Sequence, residues 1–520
     1  MQVHSKAPTF NRMRFGFEPP ASHQPGWNQD ANGIQDYNRN PAYELKKALI
    51  WNESVNRLAP ELRPVVKTFG ELVRQNSGAV DYTPRYPNKI EDVKRYPLPS
   101  NPDQMKLAED LKKRLQALGL EASLDKHYNV IGKLESNVPK DKPFYATMST
   151  VVLTAHLDTT YEQPNEGVEP QLHPVFHGQT LVVSERNQKG QKIVLDPAIT
   201  PALQARKGHN IITASGDTLL GADAKAGVAE ILEALRQLKT HHEQHPTQPL
   251  YHPNIRVVFT VDEESNLLGA RGVDLNALGA DFGIDLDDTD PGKINVRSFN
   301  GHNINVDIQG KLVHSAEADL MKMANAMMLA SQIAAGLPKN QLLENKTGSV
   351  KGYLCLDQMQ GDFNQARLLF LARDLKDEQV RKRVAAVIRQ VQKVKDSAKN
   401  TPAQIKWRVE EEYKNPAIDS QSPFVKLLQQ SAKAVGIQPK ITEFRGCTDA
   451  AVWSERGLPT VNLGCGWQNA HQLNEWVSAQ DLYQMSQYLL KILTQWPEHG
   501  PRKPTAKHFA NIAWPKITTG

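Results

Sequence analysis

Two histidines and a set of carboxylates stand in this sequence where a metal-dependent hydrolase would need them. His156 and Asp158 follow the apolar run VVLTA of residues 151–155. Side chains two apart on a strand point to the same side, so Asp158 could hold one ring nitrogen of His156 while the other nitrogen binds a ligand. The pattern H-x-D is short, and alone it is more typical of a capped strand end with a hydrogen-bonded structural histidine than of a ligand site.

Further acidic groups and a second histidine also follow predicted strands or precede predicted helices. If these segments share one sheet, their side chains converge at its carboxyl edge, where open α/β folds bind ligands. Each motif is weak alone, since DEE is often a solvated strand end and GADAKAG lacks the spacing of a phosphate-binding loop. The groups are Asp223 in GADAKAG, Asp262, Glu263 and Glu264 in DEE, Asp285, Asp287 and Asp288 in DLDD, and His471 and Glu475 in HQLNE.

This set of side chains indicates a divalent metal centre. So many carboxylates cannot all stay ionised in one place without a compensating cation. Histidines with carboxylates, and without cysteine, suit zinc, with cobalt or manganese as alternatives. Five or more ligands indicate two ions that share a bridging carboxylate. Such a pair favours a bound hydroxide, which is the nucleophile of a hydrolase.

The pattern around these residues predicts an α/β protein of several domains. The 520 residues exceed what one core usually supports. We predict a catalytic domain over residues 65–300 and 416–495. Between them, residues 301–415 follow the order strand, helix, strand, strand, helix, strand, which is typical of a ferredoxin-like α+β insert. Residues 1–64 are expected to be a loosely structured extension, and residues 496–520 a tail.

Composition narrows the choice of compartment and partner. The net charge is only +5, and the basic stretch 380–395 has valines at helical spacing, so its basic residues should face solvent rather than nucleic acid. We predict no membrane partner, because no apolar run approaches the length of a spanning helix. The first twenty residues lack the apolar core of a secretory signal, and the cysteine count is odd. These features predict a cytoplasmic protein with reduced thiols.

The order of the motifs resembles that of the dinuclear zinc peptidases, a family that includes carboxypeptidase G-like enzymes and aminoacylases. The motifs are H-x-D, G-A-D-x-K-A-G, D-E-E, a strand-end aspartate and H-x-x-x-E. The blocks TLLGADAKAGVAEI, FTVDEE, FRGCTDAAVWSERGLPTVNL and NAHQLNEWV are most similar to the tripeptide aminopeptidases of that family. The resemblance covers roughly residues 65–495. It implies a three-layer, zinc-exopeptidase-like catalytic domain with an inserted lid and dimerisation domain.

The resemblance also implies a role for each residue of the centre. His156 and Asp287 would bind one zinc ion, Glu264 and His471 the other, and Asp223 would bridge them. A cis peptide bond would follow Asp223, although this chain has Ala224 where the tripeptide aminopeptidases usually carry aspartate. The remaining two roles are those of Asp158, which would orient His156, and Glu263, which would be the general base.

Three residues of the insert match positions that contact substrate in the family. His314, in GKLVHSAEADL, would reach into the active site of the partner subunit of a homodimer. Arg373, in LARDL, would hold a substrate carboxylate, and Asn325 would add a polar contact nearby. The stretch after His314 lacks the Pro-Gly of the tripeptide aminopeptidases. The strand NINVDIQG (303–310) would offer an edge that a second subunit could cover.

The predicted function is therefore a dizinc aminopeptidase that releases the N-terminal residue of tripeptides. Its substrate would be a short peptide with free ends. A dipeptidase, a carboxypeptidase or an N-acyl amino-acid hydrolase of the same family is an alternative. A binding protein without activity on the same fold is a further alternative, which the complete set of ligands and base disfavours.

Overall fold

The computed structural model describes residues 41–80, 98–314, 322–343, 352–504, 509 and 516–520. Every element from α2 onward belongs to one compact unit, residues 50–520. The helices are α1 (Pro41–Asn56), α2 (Arg63–Val73), α3 (Pro102–Ala117), α4 (Pro201–Gln204), α5 (Ala222–Gln244), α6 (Leu268–Gly272), α7 (Leu275–Leu278), α8 (Ala326–Ala335), α9 (Asp377–Ser397), α10 (Pro423–Ala434), α11 (Asp449–Glu455) and α12 (Ala479–His499).

The described residues also form eighteen strands. They are β1 (Glu121–Leu124), β2 (Val130–Leu134), β3 (Val151–His156), β4 (Gln171–His173), β5 (Leu181–Ser184), β6 (Ile193–Leu195), β7 (Ile211–Thr213), β8 (Ile255–Thr260), β9 (Phe282–Asp288), β10 (Lys293–Ser298), β11 (Asn300–Gln309), β12 (Tyr353–Gly361), β13 (Gln365–Asp374), β14 (Gln404–Tyr413), β15 (Lys440–Phe444), β16 (Thr460–Gly464), β17 (Trp476–Ser478) and β18 (Lys516–Thr519).

The largest sheet has eight strands in the order β1-β2-β8-β3-β9-β16-β10-β15. Its central strands β8, β3, β9 and β16 are parallel. All six residues of β3 are buried, as expected for a strand covered on both faces. Alternate side chains of β3 enter different cores: Val151 and Leu153 join the cluster with α2, α5 and α12, whereas Val152 joins the cluster with α6, α7 and α11. The predicted three-layer α/β fold is confirmed.

A second, five-stranded sheet has the order β12-β13-β11-β14-β18. Among its first four strands, each strand is antiparallel to its neighbours, and their order is that of a ferredoxin-like fold. Helices α8 and α9 pack on the sheet through apolar residues such as Ile333 and Val391. In α9 the valines expected on the apolar face lie inward, and basic residues such as Arg381 and Lys382 form ion pairs at the surface.

The position of β11 differs from the sequence-based expectation. The stretch 303–310 lies largely in β11, which pairs with β13 on one side and β14 on the other, so it is not an edge. The alternating pattern of polar and apolar residues correctly predicts a strand with one covered face. It does not predict which strands pair with it in the sheet. The sheet edges are formed by β12 and β18.

Both ends of the chain contain more regular structure than expected. Within the expected extension, residues 41–56 form α1, and Trp51 and Val55 lie in the main core, so residues 50–64 are not loose. Near the other end, β18 pairs with β14, from Lys516 opposite Glu411 to Thr519 opposite Arg408. Low periodicity therefore concealed a helix and a strand that tertiary contacts stabilise. No helix in the described ranges combines the length and apolarity needed to cross a bilayer.

Candidate metal centre

The centre lies at the carboxyl ends of the parallel strands. His156 is the last residue of β3, Glu263 and Glu264 follow β8, and Asp287 lies near the end of β9. Asp223 lies at the start of α5, where its backbone and that of Ala224 depart from helical geometry. The peptide bond between these two residues is cis, as the resemblance implies. With His471, the structure thus brings together all five predicted metal ligands.

His156 forms the buried half of the centre. Its Nε2 lies 3.1 Å from Asp223 Oδ1 and 3.7 Å from Asp287 Oδ1, and its side chain is only 1% exposed. Its Nδ1 donates to the backbone carbonyl of Asp158 at 3.0 Å. Burial lowers the pKa of His156, but the nearby carboxylates of Asp158, Asp223 and Asp287 raise it by more, so that it stands well above its usual value.

His471 forms the more open half. Its Nε2 lies 3.0 Å from Glu264 Oε1 and 3.6 Å from Asp223 Oδ2, and its side chain is 34% exposed. Its Nδ1 lies 3.0 Å from Glu162 Oε2. Burial lowers the pKa of His471, but the carboxylates of Glu162 and Glu264 outweigh this effect and raise it to about 12. The two oxygens of Asp223 therefore face two different histidines.

The donor set fits divalent cations. Two groups of side chains have potential ligand atoms within 4.8 Å of one another: His156 with Glu263 and Asp287, and His156 with Asp223 and Glu264. Burial, together with the charge of neighbouring carboxylates, raises the pKa of Glu263, Glu264 and Asp287. A bound cation would offset the unfavourable burial of these negative charges. Glu263 is close enough to His156 and Asp287 to serve as a ligand or as a base beside the ion.

Asp158 links the H-x-D motif to the DEE motif, in a way that spacing did not predict. Its carboxylate accepts the backbone N–H groups of Glu263 and Glu264, each at 3.1 Å. The nearest carboxylate oxygen is 3.6 Å from Nδ1 of His156, farther than the carbonyl of the same residue. The carboxylate therefore fixes the turn after β8, and the backbone of Asp158 orients the imidazole.

Four of the acidic residues at the strand and helix ends accept hydrogen bonds from groups other than the predicted ligand side chains. Asp262 accepts hydrogen bonds from Ser100 and Gln104, and its positive φ of 51° turns the chain so that the next two residues face elsewhere. The other three bind nearby amides or side chains: Asp285 accepts from the N–H of Ala450, Asp288 from Asn295, and Glu475 from the N–H groups of Leu220, Gly221 and Asp223.

The three predicted substrate contacts belong to the insert. His314 is exposed. Asn325 caps α8 by accepting the N–H of Met328 at 3.1 Å. Arg373 is buried, donates to Glu412 at 2.8 Å and lies over the ring of Tyr413. Asn325 and Arg373 thus have structural contacts within the insert, and the substrate roles of all three residues stay predictions.

Glu162 was missed by the sequence reasoning. It lies in the polar loop TTYEQPNEG after β3, which carries no motif. The residue that it contacts is His471, 309 positions later in the chain. Only the fold brings the two together, so no local signal could have identified the pair.

Comparison with known proteins agrees with this geometry. Residues 219–495 match the group described as Peptidase family M20/M25/M40. A relative named Peptidase T, from Geobacillus sp. (strain WCH70), is 32% identical over 398 residues, which cover 76% of this chain and 92% of the relative.

Two solved structures share the fold. An aminopeptidase PepT from Bacillus cereus ATCC 10987 superposes with a TM-score of 0.61 at 23% identity and covers 84% of this chain and 98% of its own. A tripeptidase from Staphylococcus aureus subsp. aureus mu50 gives a TM-score of 0.62 at 22% identity, with coverage of 84% and 98%. The resemblance inferred from the motif order is confirmed.

Proposed function

This chain belongs to peptidase family M20/M25/M40, and from that membership we propose that it is a metal-dependent aminopeptidase that releases the N-terminal residue of tripeptides. The observation that carries the proposal is the position of Asp223 between two histidines, each with a further carboxylate beside it. The relative named Peptidase T and the neighbour described as a tripeptidase support the choice of substrate.

The ligand assignment follows the contacts. His156 and Asp287 would hold one ion, His471 and Glu264 the other, and Asp223 would bridge them. Zinc suits this nitrogen and oxygen set, and cobalt or manganese would also fit. Such ions polarise a scissile carbonyl and lower the pKa of water.

Glu263 would move the protons of the reaction. Burial raises the pKa of its carboxyl well above the usual value, and a raised pKa makes the carboxylate a stronger base. The Glu263 carboxylate would accept a proton from the attacking water and pass it to the amine of the leaving peptide. The bond from its backbone N–H to Asp158 would keep it in place.

We also propose that the protein is a cytoplasmic homodimer that uses the insert as its interface. The odd count of three cysteines supports a reducing compartment. The family resemblance of His314 supports a composite active site. Mixing inactive His314→Ala and Glu263→Gln subunits should restore part of the activity, because one of the two sites of a mixed dimer would be intact. No recovery after demonstrated subunit exchange would contradict the dimer proposal.

The proposed substrate can be tested directly. Purified protein with zinc would be incubated with dipeptides, tripeptides, tetrapeptides and N-acyl amino acids, and the products identified by mass spectrometry. We expect cleavage of tripeptides at the amino end and none of the same peptides after N-acetylation. Glu263→Gln is the matched control for contaminating peptidases. Release of C-terminal residues, or hydrolysis of N-acyl amino acids alone, would favour the carboxypeptidase or amidohydrolase alternative.

A further inference from the structure

His471 needs an orienting contact more than His156 does. It lies in a loop between β16 and β17, with a positive φ of 62°, and about a third of its side chain is exposed. An imidazole presents a chosen nitrogen to a ligand only if the other nitrogen is held. For His156 that contact is a backbone carbonyl, which the strand end fixes.

The corresponding contact of His471 is the carboxylate of Glu162. Its Oε2 lies 3.0 Å from Nδ1 of His471, on the side of the ring opposite to Glu264 and Asp223. The loop that carries Glu162 is itself anchored. Asn165 donates to the backbone carbonyl of Thr160 at 2.7 Å, and the backbone of Thr159 pairs with Ser77 and Ala79.

We infer that Glu162 is a positioning residue, which accepts the Nδ1–H of His471 and so directs Nε2 of that ring towards Asp223 and Glu264. The inference rests on the proposed function, because that face of the ring is where the second ion would lie. The negative charge of Glu162 would also increase the electron-donating strength of Nε2, as carboxylates behind metal-binding histidines do. The two histidines would thus be oriented by different means, a backbone carbonyl and a carboxylate.

Zinc affinity tests the inference without using peptidase activity. The metal-free, full-length protein would be titrated with zinc in competition with a chromophoric chelator. We expect Glu162→Ala to weaken the weaker of the two binding steps by roughly 10–100-fold, the usual effect of losing such a contact. Glu162→Gln should weaken it less, since the amide oxygen still accepts the Nδ1–H. Glu166→Ala, an exposed carboxylate in the same loop, is the matched control and should bind zinc as the wild type does.

A double-mutant cycle separates positioning from a general effect of charge. In a His471→Ala background, Glu162→Ala should cause no further loss of zinc affinity. An equal loss in both backgrounds, or unchanged affinity in Glu162→Ala, would overturn the inference, and so would a wild-type protein that binds no second zinc ion. Because Glu162 is 53% exposed, the variants should unfold at the wild-type temperature. If both ions bind as expected but no peptide is cleaved, the proposed function fails while the role of Glu162 stands.

Discussion

The two halves of the candidate metal centre are built in different ways. His156 ends a buried strand, has 1% of its side chain exposed, and takes its orientation from a backbone carbonyl. His471 lies in a loop, is 34% exposed, and is held by the side chain of Glu162. Both lie near the same carboxylate, that of Asp223, at 3.1 Å and 3.6 Å respectively.

This difference suggests that the His156 half is preorganised by the fold and the His471 half by side-chain contacts. A strand end in the centre of a sheet cannot move without disrupting the core on both faces. A loop near the surface can move at little cost, since it has fewer packed contacts. We therefore expect Glu263 and Glu264 to have different roles and the two halves to differ in zinc affinity. We also expect zinc binding to depend on pH.

The largest effect should separate Glu263 from Glu264. Glu263→Gln keeps the size of the side chain but cannot accept a proton, so turnover should fall by about 10²–10⁴-fold while both ions are retained. Glu264→Gln should instead lose the ion on the His471 side first. Steady-state kinetics and elemental analysis of both variants would check this. If Glu263→Gln loses metal as readily as Glu264→Gln, Glu263 is a ligand and the assignment of the base is wrong.

The order of metal loss tests the comparison itself. A chelator added in steps should remove the ion of the exposed His471 half before that of the buried half, and we expect their affinities to differ by about tenfold or more. Asp223→Ala should weaken both, because its two oxygens face both histidines. Zinc content measured at each chelator concentration would check the order. Loss of both ions in one step from the wild-type protein would show that the halves do not behave separately.

The apparent affinity for zinc should rise with pH. In the metal-free protein the pKa of His471 is raised to about 12 and that of His156 also stands well above its usual value, so both imidazoles are protonated at neutral pH. A metal needs the nitrogen lone pair, so binding must release these protons. Each released proton adds up to about a tenfold gain in affinity per pH unit below the pKa. Calorimetry in buffers of different ionisation enthalpy would count the protons, and His471→Ala should release one fewer.

The smallest expected effect concerns an acid with no partner. Glu230 lies on α5, as Asp223 does, and among the described residues neither of its carboxylate oxygens has a hydrogen-bond partner. Burial raises the pKa of Glu230, so the folded state retains a proton that the unfolded state loses above about pH 4.3. Stability therefore falls as pH rises through this range. Glu230→Gln should remove the slope and raise the free energy of unfolding near pH 7.

Chemical denaturation between pH 5 and pH 8 would measure this effect. Glu233→Gln is the matched control on the same helix, because Glu233 is buried but pairs with Arg236 at 2.7 Å. It should destabilise the protein instead. A Glu230→Gln variant with the pH slope of the wild type would contradict the prediction.

Much of the centre could be predicted from the sequence because strands and helices impose order on their ends. His156 and Asp287 lie at the ends of buried strands and the DEE run follows another, and parallel strands bring their carboxyl ends to one edge. The spacing could not show that Asp262 turns towards Ser100, since that depends on the backbone angles of one loop residue. Spacing likewise places Asp288 among the candidate acids of the strand ends, although its carboxylate accepts a hydrogen bond from Asn295.

Contacts between distant parts of the chain were beyond local patterns. The pairing of β18 with β14 and the contact of Glu162 with His471 leave no periodic signal, because each joins short or irregular segments. The internal position of β11 was missed because alternation identifies a strand and its faces, but the number of neighbours depends on the whole sheet. The sequence predicts the function better than it predicts the contacts that hold the ligands in place, because the motifs contain the reactive side chains themselves.

The three amides bound by Glu475 have a consequence for the way the protein is made. Leu220, Gly221 and Asp223 donate to a carboxylate that lies 255, 254 and 252 positions later in the chain. A ribosome produces Asp223 long before it produces Glu475, so the loop cannot reach its final shape while most of the second half is still being synthesised. A nascent chain would therefore complete the candidate metal centre only near the end of translation, however early the first strands of the sheet assemble.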